Sequence, residues 1–192
     1  MVCFDLFGLR LALDFTAPAL LALLSLRLSP AALLRTVAAC VLHESAHLLA
    51  IAVTGQKPAC LRISAAGLRL ETQGTALIPL RCVAAILLAG PLANLLAAVG
   101  FARLGMPDSA AANLSLCCFN LLPFRSTDGG TLLHAVFEQR DLTHAPERPR
   151  RVLRLLSLCT AALLFYGMYR RNAVNWSLFG MLIFMIIAEF TD

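Results

Sequence analysis

The sequence predicts an all-α membrane protein of about six transmembrane helices, with a small β-hairpin element at the membrane surface. Three observations predict it. Hydrophobic residues make up 59% of the 192 and charged residues 14%, whereas a soluble domain is about half apolar and about a quarter charged. Mean hydropathy is +0.79. The apolar residues are gathered into runs near the length needed to cross a hydrocarbon core of about 30 Å. The net charge of +5 comes from 15 arginines and one lysine, Lys57. These charges are scattered between apolar runs, which reads as loops anchored to lipid headgroups and gives no nucleic-acid surface.

In chain order, residues 4–15 alternate roughly (FDLFGLRLALDF), giving a strand or an interfacial segment. An apolar run, Ala17 to Leu28, follows; no basic cluster precedes it, so a cleaved signal peptide is not expected. Pro30 to Val53 is the second span. Pro30 suits a first helical turn and Gly55 follows the end. Residues 56–75 alternate polar and apolar with glycines between, which reads as a hairpin. The third span is Leu77 to Leu104, interrupted by Gly90-Pro91, and the fourth is Ser109 to Phe124. A polar stretch, Glu138 to Arg151, precedes two last spans, Leu153 to Tyr169 and Ala173 to Phe190. The whole, 1–192, reads as one membrane-embedded domain with a core at about 30–135 and no PDZ or CBS domain.

Arginine placement orients these spans. With the N-terminus, 56–75, 138–151 and the C-terminus on one side, that side holds eleven of the sixteen basic residues (Arg10 and Lys57 among them). The positive-inside rule makes it cytoplasmic, against a pull from Arg170-Arg171. The seven cysteines form no CxxC pair and several lie in apolar runs, so neither a disulfide framework nor a zinc ribbon is expected.

The chemistry lies in the second span. His43-Glu44-Ser45-Ala46-His47 puts two imidazoles at i and i+4, on one helix face. At that spacing they can hold one Zn²⁺. Glu44 adjoins the metal without being a ligand and can move a proton from water to a leaving amine. Three ionisable groups in an apolar helix are costly in lipid and point to function. A catalytic zinc site takes three protein ligands. Asp128, in Asn120-Leu121-Leu122-Pro123-Phe124-Arg125-Ser126-Thr127-Asp128-Gly129-Gly130, is the candidate third. Pro123 should end or kink the fourth helix, and the two glycines should allow a sharp turn. An ordinary helix–turn junction is the other reading of these residues.

HExxH in one span and NxxPxxxxDGG in a later one resemble the paired signatures of site-2 proteases, the intramembrane zinc metalloproteases of peptidase family M50. The resemblance covers His43 to Gly130, and Gly90-Pro91-Leu92-Ala93-Asn94 is similar to the GPxxN element of bacterial members. It implies one Zn²⁺ per chain on His43, His47 and Asp128, with Glu44 as general acid/base. It also implies that Asn120 orients the substrate or its scissile carbonyl, and that Asn94 lines the same cavity. The implied activity is hydrolysis of a peptide bond in or near a transmembrane segment of a membrane-tethered protein, in a bacterial cytoplasmic membrane, with a regulatory membrane protein as a further partner. The minimal layout is nearest to the sporulation-type (stage IV factor B) branch. Arg125, Ser126 and Thr127 stand where members commonly carry prolines and a leucine. A zinc-binding membrane protein without proteolysis, such as a transporter, is the alternative; it leaves Glu44 unused and lacks visible inverted repeats.

Other charged groups receive no site role. His134 is expected at the surface or the membrane interface. Glu189 and Asp192 are expected at the interface end of the last helix, and Glu71 as a solvated hairpin charge. His144 falls in a charged loop, and Asp14 at the membrane surface.

Overall fold

The computed structural model describes residues 2–6, 9–13, 25–55, 58–64, 67–72, 79–140, 147–170 and 176–191. The run expected as the first span lies outside these but for residues 25–28, and Asp14, His144 and Asp192 lie outside them altogether. The chain divides into two compact units, Met1–Cys118 and Phe119–Asp192.

In the first unit, strands β1 (Val2–Leu6), β2 (Leu9–Leu13), β3 (Pro58–Ser64) and β4 (Gly67–Thr72) form one sheet in the order β1-β2-β3-β4. The outer pairs are antiparallel and β2–β3 is parallel. Leu61 pairs with Leu70 and Ile63 with Leu68, with an irregularity between Pro58 and Cys60. The period-2 alternation of these segments is the pattern a strand requires.

Helix α1 (Pro30–Val53) begins where Ser29, extended at φ −63° and ψ 153°, accepts the Ala32 N–H on its hydroxyl. Pro30 takes the first position, where a missing N–H costs nothing. The helix ends at Thr54, and Gly55 follows at φ +69°, the left-handed conformation that glycine adopts without strain. Helix α2 (Leu80–Arg103) closes in the same way on Gly105, at φ +71°. Helix α3 (Pro107–Asn120) completes the unit up to Cys118. Arg35 and Asp108 pair at 3.2 Å between the starts of α1 and α3.

Packing is inverted relative to a soluble protein. The buried stripe of α1 is Ala39, His43, His47 and Ile51, each four residues apart. That of α2 is Gly90, Asn94 and Ala98 at the same spacing, with Pro91. Small and polar residues face inward, while the leucines and valines face out; Leu34 is 70% exposed and Leu96 73%. Helices surrounded by lipid gain nothing from burying leucine against each other, and pack through small residues and hydrogen bonds instead. This is a membrane protein.

In the second unit, a short turn leads into α4 (Asp128–Arg140), followed by α5 (Glu147–Arg170) and α6 (Trp176–Thr191). Phe124, Ala161, Leu182 and Met185 form its core.

The count of six spans is not supported. Among the described residues three helices are long and apolar enough to cross a membrane: Pro30–Val53, Leu80–Arg103 and Arg151–Arg170. The expected fourth span is only the 14-residue α3, about 21 Å at 1.5 Å per residue, against a core of about 30 Å. Its apolar run continues to Phe124, but the helix stops before Pro123, whose ring and missing N–H oppose another turn. The last helix has 16 residues, about 24 Å. Among the described residues Cys40, Cys82, Cys117, Cys118 and Cys159 are free thiols.

Candidate metal centre

His43 and His47 sit at the middle of the α1 stripe, 4% and 6% exposed. Their Nε2 atoms lie 3.1 Å apart, with the rings nearly perpendicular at 83°. What each nitrogen can do follows from the far side of each ring. His47 Nδ1 is 2.7 Å from the Ile86 carbonyl oxygen. A carbonyl only accepts, so Nδ1 carries the proton and donates. Pro91 leaves the Leu87 carbonyl without its helical donor and crowds the preceding turn; Ile86 lies in that turn.

His43 Nδ1 is 2.6 Å from Asn94 Oδ1. The orientation of this amide is set by a relay anchored on backbone. Asn113 Nδ2 donates to the Ser109 carbonyl at 2.9 Å, which leaves Asn113 Oδ1 as an acceptor. Asn94 Nδ2 donates to that oxygen at 2.9 Å and to the Ala39 carbonyl at 3.1 Å. Asn94 Oδ1 is therefore the face turned to His43, and His43 Nδ1 must donate. Asn94 is fully buried, at 0% exposed, and Asn113 is buried with it.

With both Nδ1 atoms turned to oxygen acceptors, the two Nε2 atoms are the nitrogens that face each other, 3.1 Å apart. Two nitrogens each about 2.0–2.1 Å from one tetrahedral zinc ion stand about 3.3 Å apart. The pair is thus spaced to share a metal ion, and the hydrogen bonds behind it hold the tautomer and the ring planes that metal-ligating histidines need.

Gly90 explains how α2 approaches so closely. A Cβ there would stand 2.5 Å from His47 Nε2, 2.6 Å from His43 Cε1 and 2.7 Å from His43 Nε2. Only hydrogen fits beside the two nitrogens. Glu44 is half-buried beside the stripe, with Oε2 shielded from solvent.

In the second unit, Asn120 and Asp128 bracket the turn 121–127, both half-buried. Asp128 opens α4. Thr127, 2% exposed, ties the turn together. Its hydroxyl proton faces the Leu122 and Phe124 carbonyls, and its oxygen accepts the Gly130 N–H at 3.3 Å. Ser157 of α5 donates to the Pro123 carbonyl at 2.6 Å. Gly129 and Gly130 act otherwise than expected. Both lie inside the first turn of α4. They are needed because the turn folds back onto them: a Cβ on Gly129 would stand 2.7 Å from the Leu121 oxygen, and one on Gly130 would collide with the Phe124 carbonyl.

Two charged groups of this unit turn inward. Glu189 is 4% exposed. Its Oε2 accepts the Arg125 backbone N–H at 3.1 Å, and its Oε1 lies 3.8 Å from His134 Nε2. The His134 side chain is 14% exposed. A carboxylate within apolar surroundings is retained where partners satisfy it, and these partners come from outside its own helix.

The fold and the histidine pair define a class: a helical membrane protein with a site prepared for a metal ion. The structure is similar to that of the Site-2 Protease from Methanocaldococcus jannaschii, with a TM-score of 0.68 and 19% sequence identity, covering 98% of this chain and 93% of that one. At that identity the likeness is one of fold, and the chain has the site-2 protease fold over nearly its whole length. No family model matches the chain, and no curated protein matches it.

Proposed function

We propose that this chain is an intramembrane zinc metalloprotease of the site-2 kind, which cleaves a peptide bond in or near a transmembrane segment of a membrane-tethered protein. The observation that carries the reading is the pair of buried Nε2 atoms 3.1 Å apart, each on a ring whose Nδ1 faces an oxygen acceptor, within His-Glu-X-X-His. The fold likeness supports it.

In this reading Asp128 supplies the third ligand. Two imidazoles and a carboxylate are a donor set that suits zinc and leaves a position open. The ion, when bound, lowers the pKa of water and polarises a carbonyl. The chain's own groups do the rest. Glu44 takes a proton from the attacking water on its carboxylate and hands it to the leaving nitrogen, which needs a base within hydrogen-bond reach. Asn120 places an amide N–H₂ toward the scissile carbonyl, where negative charge develops. The apolar outer faces of α1 and α2 keep bulk water from the histidines. The cytoplasmic membrane and the cytoplasmic termini belong to the same proposal.

The test is to purify the chain in detergent, measure bound zinc, and assay membrane-tethered peptides beside Glu44→Gln. About one zinc per chain, with cleavage in the wild type and none in the variant, is the expected result. Zinc bound with no cleavage of any peptide favours the non-proteolytic reading. No zinc in either protein overturns the ligand assignment.

A further inference from the structure

Glu189 is a buried carboxylate that the chemistry above does not use. It stands near the end of α6, an otherwise apolar helix. A carboxylate there needs partners, and the two the fold supplies are informative. One is the backbone N–H of Arg125, 3.1 Å from Oε2; the other is His134 of α4, whose Nε2 lies 3.8 Å from Oε1. Arg125 is three residues before Asp128, in the turn also tied by Thr127 to the Leu122 and Phe124 carbonyls, Ser157 to the Pro123 carbonyl and Thr131 to the Arg125 carbonyl. Glu189 thus holds the same peptide region from the N–H side that Thr131 holds from the carbonyl side. A hydrogen bond from a backbone N–H to a carboxylate is charge-assisted and stronger than a neutral one.

We infer that Glu189 is a positioning residue for the metal centre: its carboxylate, braced by His134, fixes the Arg125 peptide and so sets where the turn presents Asp128. The last helix thereby reaches the metal site through the backbone, without touching the metal. The inference rests on the reading of Asp128 as the third ligand.

Glu189→Gln keeps an Oε1 acceptor for the Arg125 N–H and removes the charge. Glu189→Asp keeps the charge and withdraws it by one methylene. Glu189→Leu removes the acceptor. The measurement is the affinity of the full chain in detergent for Zn²⁺, with the Co²⁺ absorption spectrum as a report of coordination geometry, and Asp128→Ala alongside. Glu189→Gln should bind within about threefold of the wild type. Glu189→Asp and Glu189→Leu should bind about 10–100-fold more weakly, the range for losing a group that orients a ligand, with a cobalt spectrum shifted toward that of Asp128→Ala. If Glu189→Leu fails to fold, Glu189→Asp carries the test. A folded Glu189→Asp with wild-type affinity and spectrum, beside an Asp128→Ala that binds weakly, overturns this inference alone. An Asp128→Ala that binds as the wild type does overturns the ligand reading and this inference with it.

Discussion

Gly90→Ala is the smallest substitution that should separate metal binding from folding. The added methyl would meet His47 Nε2 at 2.5 Å and His43 Nε2 at 2.7 Å, where ordinary contact begins at about 3.4 Å. The rings or the helices must therefore move by about 0.7–0.9 Å, more than the about 0.5 Å within which a functional group must be held. The rings cannot move independently, because their far sides are bound at 2.6 and 2.7 Å to Asn94 and Ile86. If α1 and α2 separate instead, the Asn94 bond to the Ala39 carbonyl stretches and the relay behind His43 loosens. The effect on stability is small by comparison. Overpacking costs about 1–3 kcal/mol, and replacing glycine by alanine within a helix returns about 1 kcal/mol. The variant should fold and melt within a few degrees of the wild type, yet bind zinc about 10–100-fold more weakly, the loss typical of disturbed ligand orientation. Titration of the metal-free protein in detergent, with thermal melting in parallel, checks this. A folded Gly90→Ala with unchanged zinc affinity would refute the placement of α2 against the two nitrogens.

Two further substitutions test the supports of the site. Asn113→Leu removes the acceptor that sets the Asn94 amide, so zinc affinity should fall several-fold to about tenfold. It also leaves a buried Asn94 N–H without that partner, at about 1–3 kcal/mol in stability, read by denaturation; intact affinity with the same stability loss would sink the relay. Thr127→Ala removes the hydroxyl that accepts the Gly130 N–H and closes the turn, which should cost about 1–2 kcal/mol and weaken zinc binding in parallel; a turn that stays as stable without it would show that Ser157 and Glu189 hold the backbone by themselves.

Much of the first unit was legible locally. Ser29, Pro30 and Gly55 mark both ends of α1, and the helix runs from Pro30 to Val53 as the capping residues dictate. The i, i+4 spacing of His43 and His47 put them on one face before any packing was known. The six-span layout went wrong where hydropathy outran the backbone. The run from Ser109 to Phe124 is apolar to its end, but the helix stops at Asn120, ahead of Pro123, whose ring and missing N–H disfavour another turn. Asn113 carried a signal that was available and unused: an amide in an apolar run needs a hydrogen-bond partner. Nothing local announced the partners of Glu189, because they lie 55 and 64 residues away.

By itself, then, the sequence determined the membrane character, the helix bearing His-Glu-X-X-His, and the common face of its histidines, since these follow from composition, capping and a 3.6-residue period. Only the tertiary structure decided which nitrogen of each ring faces its partner histidine, because that depends on acceptors at Ile86 and Asn94 on another helix. It decided likewise that Gly90, Gly129 and Gly130 serve close approach and not a special backbone angle. A glycine's missing Cβ matters only to whatever the fold brings beside it, and no spacing along the chain records that.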